Sequence, residues 1–172
     1  MASLMENLMD LLEKENSEYE KLLELSMKKT PVIIEGNVEK LEKITDDENI
    51  IVSRVNMLDK QRMQAMQDIA NVLNKDVESL KLAQLTAMLS QRPQEQKRLA
   101  AIHTRLKITT EQLVRVNEHN RDLITRSLQM VEYNMNVIKS MKCAPETANY
   151  TRGAYNAGNT MGSAQKSFDA KQ

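Results

Sequence analysis

The residues that could carry out acid–base, nucleophilic or metal chemistry are few and scattered. The two histidines, His103 and His119, have no glutamate three residues before them, as a paired metal-binding helix would need. The single Cys143 cannot form an internal disulfide and is expected to be a reduced thiol. The carboxylates of Asp46 and Asp47 lie among other charges, which is typical of a solvated helix face. Because the sequence also contains no phosphate-binding glycine loop, we expect no metal, no cofactor and no enzymatic activity.

Side chains suited to protein binding are more prominent. Twelve methionines in 172 residues could fill a core or adapt to the irregular surface of a partner. Asn117 and Asn120 lie on or beside an apolar stripe, and two interpretations of them remain open. They could form a polar layer that fixes the register between helices, or they could belong to an exposed binding surface.

These asparagines lie in the longest helical pattern of the sequence, from Pro93 to Met141. Proline suits a first helical position, and no glycine or proline follows before Pro145. Apolar residues recur at steps of mostly three or four along the pattern: Leu99, Ile102, Leu106, Leu113, Val116, Leu123 or Ile124, Leu128, Val131, Met135 and Ile138. A helix on the order of 75 Å long is expected to need long helices beside it.

A first long helix is predicted at the N-terminus. Ser3 and Glu6 fit a capping box, and an apolar stripe predicts a helix that runs to about Lys28. Pro31 predicts a bend after it, which could be a kink or a loop. Gly36 and the following asparagine are typical of a helix stop followed by an N-cap.

A second long helix, of about 35 residues, is predicted from Val38, and a short connector helix is predicted from Leu80 to Leu89. Because the connections are short, we expect neighbouring helices to be antiparallel. Residues 1–29 carry seven acids and four bases, whereas residues 93–142 carry nine bases and five acids. The first and last helices are therefore expected to attract each other.

The composition agrees with an all-α protein. Four glycines and three prolines allow few turns, and the 24 basic and 24 acidic residues cancel, which argues against nucleic acid as a partner. The N-terminal leucines are interrupted by acids, so neither a signal peptide nor a membrane span is expected. We expect an elongated antiparallel helical bundle or coiled coil of three main helices plus a short connector helix over residues 1–142. A disordered polar C-terminal tail is expected over residues 143–172.

Three segments resemble flagellar export chaperones of the FlgN type. They are LMDLLEKENSEYEKLLELS at 8–26, EGNVEKLEKITDDENIIV at 35–52 and VNEHNRDLITRSLQMV at 116–131. The pattern of that family's last helix falls on Asn117, Asn120, Leu123, Ser127 and Leu128. A tyrosine followed shortly by glycine, which is frequent in the tails of that family, falls on Tyr155 and Gly158.

The resemblance implies a cytoplasmic, non-catalytic chaperone. It would bind the C-terminal helical region of hook-associated proteins, keep them unassembled before secretion and deliver them to the export apparatus. We expect an amphipathic cargo helix to lie on Leu123, Ile124, Leu128, Val131, Met135, Ile138 and Met141. The resemblance adds Asn117, Asn120, Ser127, Tyr155 and Gly158 to the expected partner-binding residues.

Two alternatives remain open from the sequence. The chain could be a structural coiled-coil protein that covers its own apolar stripe by forming a homodimer. It could also be an export chaperone for another flagellar substrate or a virulence substrate. Oligomeric state would separate the first alternative from a chaperone, whereas the second would share the same helical architecture.

Overall fold

Five helical segments make up the part of the chain that the computed structural model describes, residues 2–77 and 80–142. They are α1 (Ala2–Glu35), α2 (Val38–Leu73), α3 (Leu82–Met88), a 3₁₀ turn (Leu89–Gln91) and α4 (Pro93–Lys142). The all-α class is therefore confirmed. The predicted tail, with Tyr155 and Gly158, lies outside the described residues. Residues up to Val131 form one unit, and the end of α4 from Glu132 belongs to a second unit that is described separately.

Helix α1 is longer than the sequence predicts. It continues through Pro31 to Glu35, so the predicted end near Lys28 is wrong. The proline ring is exposed, so water can solvate the carbonyl that loses its intrahelical N–H, and the next turn buries Ile33 at 5% exposure. Burial of Ile33 favours continuation of the helix at a position where proline alone predicts a break.

The start of α1 also differs from the prediction. Because the helix begins at Ala2, Ser3 is already helical and cannot be the N-cap of a capping box with Glu6. The other boundaries agree closely: α2 and α4 begin at the predicted residues, and the connector region contains α3 followed by the 3₁₀ turn.

The turn between α1 and α2 has the predicted chemistry. Gly36 adopts φ +68°, the left-handed conformation that ends helices at low steric cost. Asn37 then caps α2, because its side-chain oxygen accepts a hydrogen bond of 3.0 Å from the backbone N–H of Lys40. A sharp reversal between two helices follows from these two residues.

The main apolar cluster joins the start of α1, the end of α2, the connector and the start of α4. Its buried members are Met5, Leu8, Met9, Leu11, Leu12, Ala65, Met66, Ile69, Ala70, Leu80, Leu85, Leu89, Leu99 and Ile102. A smaller cluster contains Leu22, Ile51 and Val55, with Leu113 packed against it. The pairing of early α1 with late α2 makes these helices antiparallel, and α4 runs in the same direction as α1.

An ion-pair cluster links α1 to α4 in the way that the charge distribution predicts. The guanidinium of Arg98 donates hydrogen bonds of 3.0 and 3.1 Å to Glu13 and one of 2.8 Å to Asp10. These groups are well exposed, so each pair contributes only about 0–1 kcal/mol. The cluster favours this pairing of helices, while the apolar clusters supply most of the stability.

A buried polar group lies between α1 and α2. The carboxylate of Glu15, on a residue that is 4% exposed, is 3.1 Å from Nε of Arg62, which also pairs with Asp59. Burial raises the pKa of Glu15 above its ordinary value, although the charge of Arg62 and the hydrogen bond from Tyr19 lower it in part. Ionisation of Glu15 in the folded protein therefore costs stability.

Replacement of a core leucine tests the apolar cluster. Leu12→Ala removes a side chain with 0% exposure and should lower the free energy of unfolding by about 2–5 kcal/mol. Leu128→Ala makes the same chemical change at a position with 65% exposure and should stay within about 0.5 kcal/mol of the wild type. Urea denaturation followed by circular dichroism measures both. Equal losses for the two variants would contradict this core.

A second prediction concerns pH. A raised pKa means that ionisation of Glu15 costs stability; the cost is absent below the pKa of the unfolded chain and complete above the pKa of the folded protein. Glu15→Gln should therefore gain stability relative to the wild type as pH rises from about 4 to about 7. Denaturation curves across this range measure the difference, with the exposed Glu6→Gln as the control for net charge. If the stability of Glu15→Gln relative to the wild type fell as pH rose, the charge of Arg62 would have a larger effect on the pKa of Glu15 than its burial.

Candidate partner-binding surface

The second half of α4 carries the residues that the sequence assigns to partner binding. Leu123 and Ile124 are half-buried, and every side chain from Thr125 to Lys142 is exposed. In the unit that ends at Val131, Leu128 is 65% and Val131 55% exposed. Exposure of large apolar side chains at helical spacing is typical of a surface that binds another protein.

A shallow apolar groove lies where α4 meets the α1–α2 turn. We call it the turn groove. Its lining residues are Val32, Ile33, Gly36, Asn37, Val38 and Leu41 from the two helix ends, and Ile124, Ser127, Leu128 and Val131 from α4. Its volume of about 240 Å³ is below the range of about 300–1,000 Å³ that is typical of small-molecule sites. The groove is therefore better suited to a few apolar side chains of a docked segment than to a cofactor.

The α1–α2 wall of this groove was not predicted as part of the site. Its residues come from the segment around Pro31, which the sequence predicts as a bend, and from the first turn of α2. The signal was present as Val32, Ile33 and Ile34, an apolar run beside a helix stop. The periodicity of one helix does not show which part of another helix this apolar run will contact.

A polar layer lies next to the turn groove and fixes α4 against α1. The Asn120 amide nitrogen donates to the carbonyl of Ser26 at 2.8 Å, and the Thr30 hydroxyl donates to the Asn120 amide oxygen at 2.7 Å. The Ser26 hydroxyl lies 3.0 Å from the amide oxygen of Asn117 and 3.2 Å from the carboxylate of Glu48 on α2. Ser26 is 1% and Asn120 3% exposed, so these bonds replace water.

The predicted site residues fall into two groups: Asn117 and Asn120 belong to the polar layer, and the others in this unit lie towards the turn groove. Asn120 is buried in contact with α1, which is the arrangement expected of a register-fixing layer. Asn117 is exposed as a residue, although its amide oxygen also accepts from α1. The turn groove brings together Ile124, Ser127 and Leu128, with Val131 beside them.

The remaining predicted residues on α4 belong to the second unit. Met135 and Ile138 are 52% and 53% exposed, and Met141 is 73% exposed. Their role in partner binding stays a prediction, as does that of Leu123 and of the residues that line the turn groove.

The described residues carry few groups that could do other chemistry. His103 and His119 are both exposed, as expected for surface positions. Within residues 2–77 and 80–142, no three side chains of the metal-binding types are grouped to hold an ion. None of the described helices combines the length and the apolar content that crossing a bilayer requires.

Substitution of Asn120 tests the polar layer. Asn120→Ala leaves the Thr30 hydroxyl and the Ser26 carbonyl without these partners and should destabilise the protein by about 1–3 kcal/mol. The same change at the exposed Asn134 should have an effect of less than about 0.5 kcal/mol. Thermal and urea unfolding measure both variants. If Asn120→Ala kept full stability, the layer would not hold α4 in register.

Comparison with known proteins identifies the family of this chain. Residues 1–157 match the family model described as FlgN protein, and this range includes α1 to α4. No curated protein and no solved structure matches the chain. Because the family match extends over most of the 172 residues, the chain belongs to the FlgN family of flagellar export chaperones.

Proposed function

We propose that this protein binds the C-terminal helical region of hook-associated flagellar proteins in the cytoplasm and keeps them unassembled before type III export. Family membership supports a flagellar export chaperone, and the turn groove supports the mode of binding. The observation that carries the proposal is the exposure of Leu128 and Val131 beside apolar side chains from the α1–α2 turn.

The proposed mode is recognition of an amphipathic helix in a groove. In the packed part of α4, the apolar face of the helix meets α1 and α2, but at the turn groove that face is left open to a partner. A cargo helix could insert side chains spaced by three and four residues between α4 and the turn. The elongated coiled-coil form predicted from the sequence would suit such a partner and is part of this proposal.

Apolar burial sets an upper limit on the affinity for a cargo. Burial of each large apolar side chain contributes about 1.5–3 kcal/mol, so six of them contribute roughly 9–18 kcal/mol. Association costs about 4–15 kcal/mol, and ordering a disordered segment adds about 2–5 kcal/mol. At the favourable ends of these ranges the net is about 12 kcal/mol, which corresponds to a nanomolar Kd and is the upper limit for six side chains.

A charge placed in the turn groove tests the proposal. Leu128→Asp should weaken binding to the C-terminal region of a hook-associated protein by at least about tenfold, because a carboxylate would be buried against apolar groups. Thr125→Asp adds the same charge one turn away, at an exposed position outside the groove lining, and should change affinity by less than about threefold. Isothermal titration measures affinity, and circular dichroism checks that both variants keep their helical content.

Several outcomes would count against the proposal. If the wild-type protein bound no such region, its cargo would be another export substrate. If it formed a homodimer that Leu128→Asp dissociated, the groove would serve self-assembly. Pull-down with a version ending at Met141 would show in addition whether residues beyond it, including Tyr155 and Gly158, take part in capture.

A further inference from the structure

The last eleven residues of α4, Glu132–Lys142, carry apolar side chains on more than one face. We call this the distal segment. All of its side chains are exposed, and they include Tyr133, Met135, Val137, Ile138 and Met141 at 68%, 52%, 37%, 53% and 73% exposure. Because an α-helix turns by about 100° per residue, these five positions span an arc of roughly 200°. The arc divides into a first stripe, Met135 and Ile138, and a second stripe, Tyr133, Val137 and Met141.

The packed part of the same helix is different. Its core-facing positions are Leu99, Ile102, Leu106, Thr109, Leu113 and Asn120. They fall within an arc of about 100°, the usual width for a helix that packs on one side. Only isolated apolar residues, such as Ile108 and Val114, are exposed there. The second stripe has no counterpart along the packed part.

This difference indicates on how many sides the distal segment is covered. In the packed part, α1 and α2 cover a face of about 100° from one side, and a helix that is apolar over a wider arc is typical of one with neighbours on more than one side. If a single cargo helix occupied the first stripe alone, the second stripe would remain in water. We propose that the distal segment is bound on two sides by two amphipathic helices of one export substrate. This inference rests on the function proposed above.

The charges favour a substrate over a second copy of this chain. Residues 126–142 contain Arg126, Lys139 and Lys142 against the single acid Glu132, and these bases form no ion pair within the described residues. With three bases and one acid this stretch has a net charge of +2, and two copies paired in either direction would bring two such stretches together. Both arrangements bring like charges together. Substrate helices flanked by acidic residues would pair with these bases.

Three neighbouring substitutions test the two-sided arrangement. Ile138→Asp alters the first stripe, Val137→Asp the second, and Asn136→Asp the polar side of the helix opposite both stripes. All three add one carboxylate to the same helical turn, so effects on helix stability are matched. The titration uses the C-terminal region of a hook-associated protein. Both stripe variants should weaken binding by at least about tenfold, and Asn136→Asp by less than about threefold.

Three results would contradict the two-sided arrangement, and each points to a different cause. If Val137→Asp behaved like Asn136→Asp while Ile138→Asp weakened binding, the substrate would cover one side only and the inference would be wrong. If the wild-type chain failed to bind, the proposed function itself would fail. Sedimentation of the chain without substrate measures whether it forms a dimer. A wild-type dimer that Val137→Asp dissociates would assign the second stripe to a copy of this chain and overturn the inference.

Discussion

The hydrogen bonds of Asn120 to Ser26 and Thr30 determine which part of α4 meets which part of α1. Apolar faces alone tolerate sliding by a helical turn, because leucine, valine and methionine fit one another in several registers. A buried amide tolerates no such slip, because each of its polar atoms must find its partner again. Through this register, Ile124 and Leu128 come to lie beside the α1–α2 turn and the groove is formed.

Polar layers alternate with apolar clusters along this unit. The layer at Glu15 and Arg62 lies between the two apolar clusters, and the layer at Ser26 and Asn120 lies between the smaller cluster and the turn groove. Apolar burial supplies the net stability, whereas the buried carboxylate of Glu15 reduces it. We interpret the layers as devices for specificity that a long and repetitive helical sequence requires.

Much of the fold follows from the sequence, because helices of this length have strong periodicity and few breaks. The errors lie at the two ends of α1: the helix already includes Ser3, and at Pro31 the burial of Ile33 outweighs the local rule for proline. The site is harder to predict. Periodicity finds Leu128 and Val131 on α4, but the wall made by Val32 and Val38 depends on the packing of three helices. A polar layer at Asn120 can be proposed from the sequence, while its partners on α1 can be identified only from the structure.

The same face of α4 is buried along one stretch and exposed along another, and residue type does not distinguish the two. Leu113 packs against the smaller apolar cluster, whereas Leu128 lies on the same side of the helix and is 65% exposed. Fifteen positions separate them, close to four helical turns, so the difference arises from what lies opposite. Gly36 and Asn37 end α1 and begin α2 at the groove, and they therefore decide where α4 ceases to be core. In this protein the position of one turn determines how much apolar surface of α4 is left exposed.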